Sequence, residues 1–219
     1  MVTVEMPIIV NATGKIIAFD VPEDVYMRDY AEDFCEWIDG TVIKMSPVHE
    51  KHDRLTRYLT RLIEAYLELR PIGDVRQEPF VMRYEYEQEG KKKRRSREPD
   101  IQVILGENQK NLQKTYMDGA ANIVIEVVSL ESAARDYGEK FHEYEQADVP
   151  EYWIIDSIKE ECRFYLLNDK KTFVPQEFED EYAVAQMSDL KIHVPTLWQE
   201  NLPGPGATFK SVAKMLEGD

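Results

Sequence analysis

The stretch NIVIEVVS, residues 122–129, constrains the fold of this chain more than any other part of its sequence. It is a nearly continuous apolar run of strand length, which is typical of a strand buried on both faces of a sheet. The apolar periodicity then predicts a helix over residues 132–147, and EYWIID after Pro150 predicts the next strand. A strand, a helix and a second strand in succession indicate a mixed α/β sheet.

Other segments predict further elements around this unit. Residues 50–69 predict an amphipathic helix, because five apolar side chains recur at helical spacing: Leu55, Leu59, Leu62, Ile63 and Tyr66. Residues 34–45 predict either a hairpin or a helix end followed by a strand around the turn dipeptide Asp39-Gly40. Shorter strands are predicted over 7–10, 15–19, 75–86 (as one strand or two), 101–105, 162–168 and 171–178, with a polar loop over 87–98.

The length of 219 residues fits one domain with a sizeable core. We expect an N-terminal extension over 1–30, the main domain over 31–200, and a C-terminal tail with a short helix over 201–219. No segment resembles a signal peptide or a membrane span. Two cysteines, Cys35 and Cys162, give no disulfide framework, which favours the cytoplasm, and no zinc-site spacing is present.

Charge is distributed unevenly along the chain. The net charge is −15, yet six residues within 91–97 are basic: Lys91, Lys92, Lys93, Arg94, Arg95 and Arg97. An acidic surface repels nucleic acid unless a local basic patch or a metal ion offsets it. The basic run has two interpretations: it contacts the phosphates of a nucleic acid, or it is a solvated hairpin tip whose charge keeps an edge strand from pairing with other chains.

Glu126 is the first residue that departs from the apolar pattern. It stands in the centre of the predicted buried strand, where a carboxylate without a partner costs several kcal/mol, about the effective burial penalty of one ion. One interpretation is structural: the strand lies at an edge, or Glu126 pairs with a core Arg or Lys. The other is functional, because perturbed acids cluster at functional sites.

Lys140 is the second such residue. On the predicted helix it falls within an apolar stripe that comprises Ala133, Tyr137, Phe141, Tyr144 and Ala147. Lysine is almost never fully buried without a partner, so either its ammonium group reaches solvent past a buried stem or it meets a buried acid. Because the helix follows the strand directly, Glu126 and Lys140 are predicted to meet on one face of the sheet.

Asp100 adds a second carboxylate, because it begins the neighbouring strand 101–105. Two carboxylates that lie close together raise each other's pKa, and a hard divalent cation removes that conflict. Mg²⁺ is usually held by one or two carboxylates with water and substrate phosphate. Metal, water and a lysine together provide the chemistry of phosphodiester hydrolysis.

The residues Pro99-Asp100 and Glu126-Val127-Val128 resemble the Pro-Asp…(Asp/Glu)-X-Lys signature of restriction-endonuclease-like nucleases, with the lysine moved from position 128 to Lys140. The chain is similar to one family within this superfamily, Uma2, also called DUF820. The similarity rests on residues 36–40, 45–52, 99–101 and 125–156, and spans about 30–200. It implies a restriction-endonuclease-like α/β core with flanking helices and extra antiparallel strands.

The resemblance also implies roles for individual residues. Asp100 and Glu126 would be metal ligands, Lys140 the catalytic lysine, and His52 a histidine near metal or substrate. The alternative for His52 is a satisfied residue at the edge of the core. Glu36 and Glu78 are possible outer members of the acidic site or purely structural, and Gln102 has no assigned role. The basic run 91–97 departs from the compact loop expected of the family.

Three functions are compatible with these residues. The first is a DNA endonuclease that uses Mg²⁺ or Mn²⁺. The second is a binding or regulatory protein that keeps the fold with little or no catalysis, which the acidic charge favours. The third is a metal-dependent hydrolase of a small phosphate ester. We expect a homodimer, because duplex cleavage needs two sites, and no nucleotide cofactor, because phosphate-binding glycine loops are absent.

Overall fold

The computed structural model describes residues 10–11, 14–45, 49–88, 90–130 and 132–217. The strands are β1 (Val10–Asn11), β2 (Gly14–Ala18), β3 (Cys35–Ile38), β4 (Thr41–Lys44), β5 (Gly73–Gln77), β6 (Val81–Gln88), β7 (Lys91–Arg97), β8 (Ile101–Leu105), β9 (Tyr116–Asp118), β10 (Ile123–Val128), β11 (Glu151–Asp156), β12 (Glu161–Leu167), β13 (Phe173–Pro175), β14 (Glu181–Ala183) and β15 (Lys191–His193). The helices are α1 (Glu23–Asp29), α2 (Glu50–Leu69), α3 (Lys140–Gln146), α4 (Val194–Leu197) and α5 (Pro205–Glu217), with a 3-10 helix at Gly106–Asn111 and a π-helical turn at Arg135–Glu139.

A six-stranded sheet in the order β13-β12-β11-β10-β8-β5 forms the centre of the fold. Strand β10 pairs in parallel with β11, so that Glu126 lies opposite Ile154, and antiparallel with β8. All six residues of β10 are buried, as the sequence predicts. The chain between β10 and β11 forms the π-helical turn and α3, which together occupy the predicted helical region. The mixed α/β class is therefore confirmed.

Helices cover both faces of this sheet. The apolar stripe of α2 packs with Ile125 and Trp153 on one face, and Val212 of α5 joins the same cluster. On the other face Tyr144 of α3 packs with Val124. Because side chains alternate along a strand, Glu126 shares the face of Val124 and points toward α3.

A seven-stranded sheet in the order β1-β2-β4-β3-β7-β6-β9 adjoins this unit. The hairpin expected around Asp39-Gly40 is present as β3 and β4, and both turn residues have positive φ, 45° and 89°. Such angles at both central positions fit a two-residue hairpin turn. The expected strand over 75–86 is two strands that belong to different sheets, β5 and β6.

The predicted polar loop over 87–98 is wrong. Residues Lys91–Arg97 form β7, which pairs along its whole length with β6. Charged residues are depleted in strands, so composition alone favoured a loop. The strand forms because Arg95 and Arg97 point inward and meet buried carboxylates, as described below.

Both ends of the described chain pack on this framework. Strand β2 pairs with β4, and Tyr26 of α1 is buried against them, whereas α5 packs along α2 through Val212. Most of the strand expected over 7–10 lies outside the described residues. Both cysteines are buried and unpaired with each other. Within the described ranges, no helix combines the length and apolar character needed to cross a membrane.

Gly73 offers a test of how tightly β5 and β8 pack. A Cβ atom at this position would overlap the carbonyl oxygen of Ile104 and lie 2.6 Å from Cδ2 of Leu105. We expect Gly73→Ala to lower the free energy of unfolding by about 1–3 kcal/mol, because the backbone must move to admit the methyl group. The matched control is Gly138→Ala, whose Cβ would meet nothing within 4 Å and should stabilise its helical segment by about 0.5–1 kcal/mol. Urea denaturation measures both, and equal stabilities of the two variants would contradict the close packing.

Candidate active site

Four predicted site residues converge from four different elements. Asp100 precedes β8, Glu126 lies in the middle of β10, Lys140 is the first residue of α3, and His52 lies in the first turn of α2. All four side chains are buried. They meet in two contacting pairs, Asp100 with His52 and Glu126 with Lys140.

Asp100 is held from two sides. Its Oδ2 lies 3.1 Å from Nε2 of His52 and accepts the backbone N–H of Val127 at 2.5 Å. The carboxylate thereby links α2 to the neighbouring strand β10. Burial lowers the pKa of His52, but the Asp100 charge and hydrogen bond outweigh burial and raise the pKa above its ordinary value. His52 is therefore a partner of Asp100, and this contact is compatible with both interpretations, a histidine near a metal or substrate and a satisfied residue at the edge of the core.

Glu126 has both carboxylate oxygens engaged. Oε2 accepts a hydrogen bond from Nζ of Lys140 at 2.8 Å, and Oε1 accepts one from the hydroxyl of Tyr144 at 2.7 Å. Burial, together with the charges of Asp136 and Asp100, raises the pKa of Glu126 to about 8 against the lowering effect of Lys140. The predicted contact between Glu126 and Lys140 is thus present.

The side chain of Lys140 is buried, and so is its charged ammonium group. Its side chain is only 3% exposed, so the alternative in which the ammonium group reaches solvent is wrong. Besides Glu126, Nζ lies 3.5 Å from Oδ1 of Asp136 and 3.7 Å from Oε1 of Glu36. Burial lowers the pKa of Lys140, but these three carboxylates outweigh it and raise the pKa above its usual value. The geometry favours a permanent cation that stabilises negative charge.

Glu36 connects Lys140 to a cluster of buried arginines. Its Oε2 lies 3.0 Å from Nη1 of Arg97 and 3.1 Å from Nη1 of Arg135. Burial raises the pKa of Glu36, but Arg135, Lys140 and Arg97 together hold it well below its usual range. Glu36 is therefore an ionised acceptor that lies beside Lys140 and is held by two arginines.

The inward-pointing arginines of β7 pair with the buried carboxylates around Glu36. Arg97 is fully buried and bonds Glu139 at 2.6 Å and Glu143 at 2.8 Å, while Arg95 bonds Glu143 at 2.6 Å. Both arginines are already paired and cannot meet a phosphate backbone in this conformation. Their burial removes Arg95 and Arg97 from the predicted nucleic-acid contacts.

The other four cations of the basic run lie at or near the surface, two of them in close ion pairs. Lys91 is exposed, and the side chain of Lys92 is 86% exposed. Lys93 lies 3.1 Å from Asp39, and Arg94 bonds Glu85 at 2.6 Å. In the hairpin of β6 and β7, the basic run thus has buried arginines at its end and more exposed cations at its start.

Two further acids belong to this region and were not identified from the sequence as site residues. Asp136 lies four residues before Lys140, a helical spacing that could have indicated the contact. Glu98 is 4% exposed, and neither of its carboxyl oxygens has a hydrogen-bond partner among the described residues. Burial raises the pKa of Glu98 to about 9. Nothing in the local sequence except the neighbouring Pro99-Asp100 indicates this burial.

The carboxyl groups here compete with one another electrostatically. Burial and the charge of Asp100 raise the pKa of Glu78 to about 7, and Asp100 also raises the pKa of Glu126. A hard divalent cation prefers carboxylate oxygens as ligands and relieves such repulsion. Asp100 and Glu126 therefore have the ligand chemistry that such a cation requires. Among the residues that the structure describes, no three His, Cys, Asp or Glu side chains form a ready ligand set. Gln102 donates to the carbonyl of Phe80 instead of joining these acids.

Comparisons with known proteins agree with this fold. A structure described as a putative nuclease belonging to DUF820, from Anabaena variabilis ATCC 29413, shares the fold with a TM-score of 0.64 at 15% sequence identity. The match covers 80% of this chain and 96% of that chain. The chain therefore shares the mixed α/β fold of that structure.

The family is established by a second comparison. The Uma2 family model, described as "Putative restriction endonuclease", matches residues 22–193. The chain belongs to the Uma2 family, as the sequence resemblance implied. No curated protein matches the sequence significantly.

Proposed function

We propose that this protein is a Mg²⁺-dependent DNA endonuclease that hydrolyses phosphodiester bonds, with Mn²⁺ as an alternative ion. The observation that carries the proposal is the burial of Lys140 beside Glu126 at 2.8 Å, with a second carboxylate, Asp100, close enough to raise the pKa of Glu126. The family description and the described nuclease of similar fold support the same class of reaction.

The residues have distinct roles in this proposal. Asp100 and Glu126 would hold the ion, which when bound polarises a phosphate oxygen and makes a water molecule more acidic. Lys140 stabilises the negative charge that develops on the phosphate, because its ammonium group is fixed and shielded from solvent. His52 orients Asp100 through the 3.1 Å contact, so it acts on the carboxylate and not on the water.

The outward cations Lys91, Lys92, Lys93 and Arg94 are the proposed contacts to DNA. Each phosphate that they neutralise would contribute about −0.9 to the slope of log affinity against log salt concentration on duplex DNA. Replacing Lys91 and Lys92 by Gln should therefore reduce the salt slope of DNA binding without changing metal binding. An unchanged slope would place the DNA on another surface.

A second candidate, a hydrolase of small phosphate esters, is favoured by the charge of the protein. The net charge is −15, and Arg95 and Arg97 point inward, so few cations remain for a polyanion. A small ester needs no broad basic groove. Its hydrolysis would also depend only weakly on salt.

Nicking of supercoiled plasmid with Mg²⁺ or Mn²⁺, with chelator controls, tests the proposal. We expect nicks that require the ion and decline steeply with salt. Metal binding by calorimetry without nicking, together with hydrolysis of bis-p-nitrophenyl phosphate, would favour the small ester. No metal binding, even with DNA present, would favour a non-catalytic binding protein on this fold.

We further propose a homodimer, since cleavage of both strands needs two sites and two-fold dimers are the commonest assemblies. Sedimentation velocity at micromolar protein should show the dimer. A monomer alone would contradict it.

A further inference from the structure

Lys140 has more acceptors within reach than it uses. Its ammonium group carries three N–H donors, and the close contact is to Oε2 of Glu126 at 2.8 Å. Asp136 and Glu36 stand at 3.5 Å and 3.7 Å, just beyond a good hydrogen bond. All three carboxylates are almost completely buried, so no solvent can replace them.

The two more distant acceptors have free oxygens that face Lys140. In Glu36, Oε2 is taken by Arg97 and Arg135, whereas Oε1, the oxygen nearest Lys140, has no hydrogen-bond partner among the described residues. Oδ1 of Asp136 is equally buried and unbonded within the part of the chain that the structure describes. A buried carboxylate oxygen without a donor costs about 1–3 kcal/mol or more, so its persistence needs a physical reason.

Glu126 presents the opposite situation, because each of its oxygens already accepts a hydrogen bond. Lys140 holds Oε2 and Tyr144 holds Oε1. Each oxygen keeps a second lone pair for a metal, but a divalent cation bound there would repel the Lys140 ammonium group that shares the same carboxylate at 2.8 Å. An ammonium group withdrawn into a site without an acceptor would be an unpaired buried charge, which is strongly unfavourable.

We propose that Asp136 and Glu36 are positioning residues that accept the Lys140 ammonium group when Glu126 binds a divalent cation. The proposal rests on the proposed function, because it requires Glu126 to be a ligand. The required movement of Nζ is less than about 1 Å, the difference between the present separations and a charge-assisted hydrogen bond. The flexible four-carbon stem of lysine allows such a shift while α3 stays in place.

Each acceptor is fixed where Lys140 can reach it. Asp136 lies in the π-helical turn one helical turn before Lys140, so the two residues move together. Glu36 is anchored in β3 by the two arginines. Lys140 would therefore remain a buried cation next to the reacting phosphate in both positions, and the exchange of partners would leave the net charge of the site unchanged.

A double-mutant cycle of metal affinity tests this exchange. Calorimetric titration with Mg²⁺ and Mn²⁺ is carried out on the wild type, Asp136→Asn, Lys140→Met and the double variant. We expect Asp136→Asn to weaken binding about ten- to a hundredfold, as for other residues that support a metal ligand. Lys140→Met should strengthen binding, because it removes the competitor for Glu126. In the Lys140→Met background, Asp136→Asn should then have an effect of less than about threefold, since the two sites are coupled.

The alternatives give a different cycle. If Asp136 acts as a ligand or only through its charge, its replacement will weaken binding equally in both backgrounds, and the proposal is overturned. Glu145→Gln is the control, because Glu145 lies on α3 and accepts the backbone N–H of Phe173, away from Lys140. A wild type that binds neither ion would overturn the proposed function itself, whereas binding with an additive cycle would overturn only this inference.

A measurement on the unmodified protein covers the case in which Asp136→Asn does not fold. The Nζ resonance of Lys140, assigned as the signal absent in Lys140→Met, is followed by ¹⁵N NMR during Mg²⁺ titration. We expect a shift with continued protection of the ammonium protons from exchange, because the group passes from one buried acceptor to others. An unchanged resonance at saturating Mg²⁺, or loss of protection, would contradict the exchange.

Discussion

Glu126→Gln is expected to weaken Mg²⁺ and Mn²⁺ binding more than about a hundredfold, beyond the usual effect of losing a supporting residue. The substitution removes the charge that a hard cation requires while it keeps the shape of the side chain. Plasmid nicking should disappear in parallel. Isothermal titration calorimetry and the nicking assay measure the two effects on the same preparation.

The fold of this variant should persist, which makes the result interpretable. The carbonyl oxygen of the introduced amide can still accept a hydrogen bond from Lys140, and Asp136 and Glu36 remain within 4 Å of the same ammonium group. The matched control, Glu145→Gln, makes the same chemical change elsewhere on the same unit and should leave metal affinity unaltered. Wild-type affinity in Glu126→Gln would show that Glu126 is only the structural partner of Lys140.

Arg97→Met is expected to lower the free energy of unfolding by about 3–5 kcal/mol, or to prevent folding. The guanidinium group is fully buried and bonds Glu36, Glu139 and Glu143. Its loss leaves Glu36 and Glu143 with one arginine each, Arg135 and Arg95. Urea denaturation followed by tryptophan fluorescence measures the change.

Arg94→Met is the matched control, because Arg94 is the same residue type on the same strand. Its side chain is 55% exposed and pairs with Glu85 and Glu23 at the surface. Exposed ion pairs contribute about 0–1 kcal/mol, so the control should differ little from the wild type. Similar losses in both variants would mean that the burial of Arg97 does not determine its contribution.

Much of the fold follows from local pattern. The helix predicted over 50–69 coincides with α2. Its apolar side chains recur at helical spacing along the whole segment, and Arg70-Pro71 ends the helix. The buried strand β10 was predictable because its apolar residues leave no polar face. The pattern did not indicate that residues 75–86 divide between two sheets, because sheet membership depends on contacts distant in sequence.

The site was predictable where a residue violates its own pattern. Glu126 and Lys140 each interrupt an apolar surface, and those two interruptions indicated a contact that the structure contains. The sequence of the basic run does not show which of its arginines are buried, because every residue in the segment is polar and no apolar pattern is interrupted. The burial of Arg97 depends on Glu143, which lies 46 residues away and has no unusual neighbours in sequence.

The buried charges also join the two large sheets. Glu36 and Arg97 belong to the seven-stranded sheet, whereas Lys140 follows β10 of the six-stranded sheet and contacts Glu36 across the boundary. The groups proposed for chemistry are therefore also part of the framework of the protein. During evolution, the loss of a fully buried charge that holds several partners, such as Arg97, would be eliminated as a folding defect before its effect on activity mattered. Relatives on this scaffold that lack these charges should have lost them in opposite pairs, because one member left alone would be a buried unpaired charge.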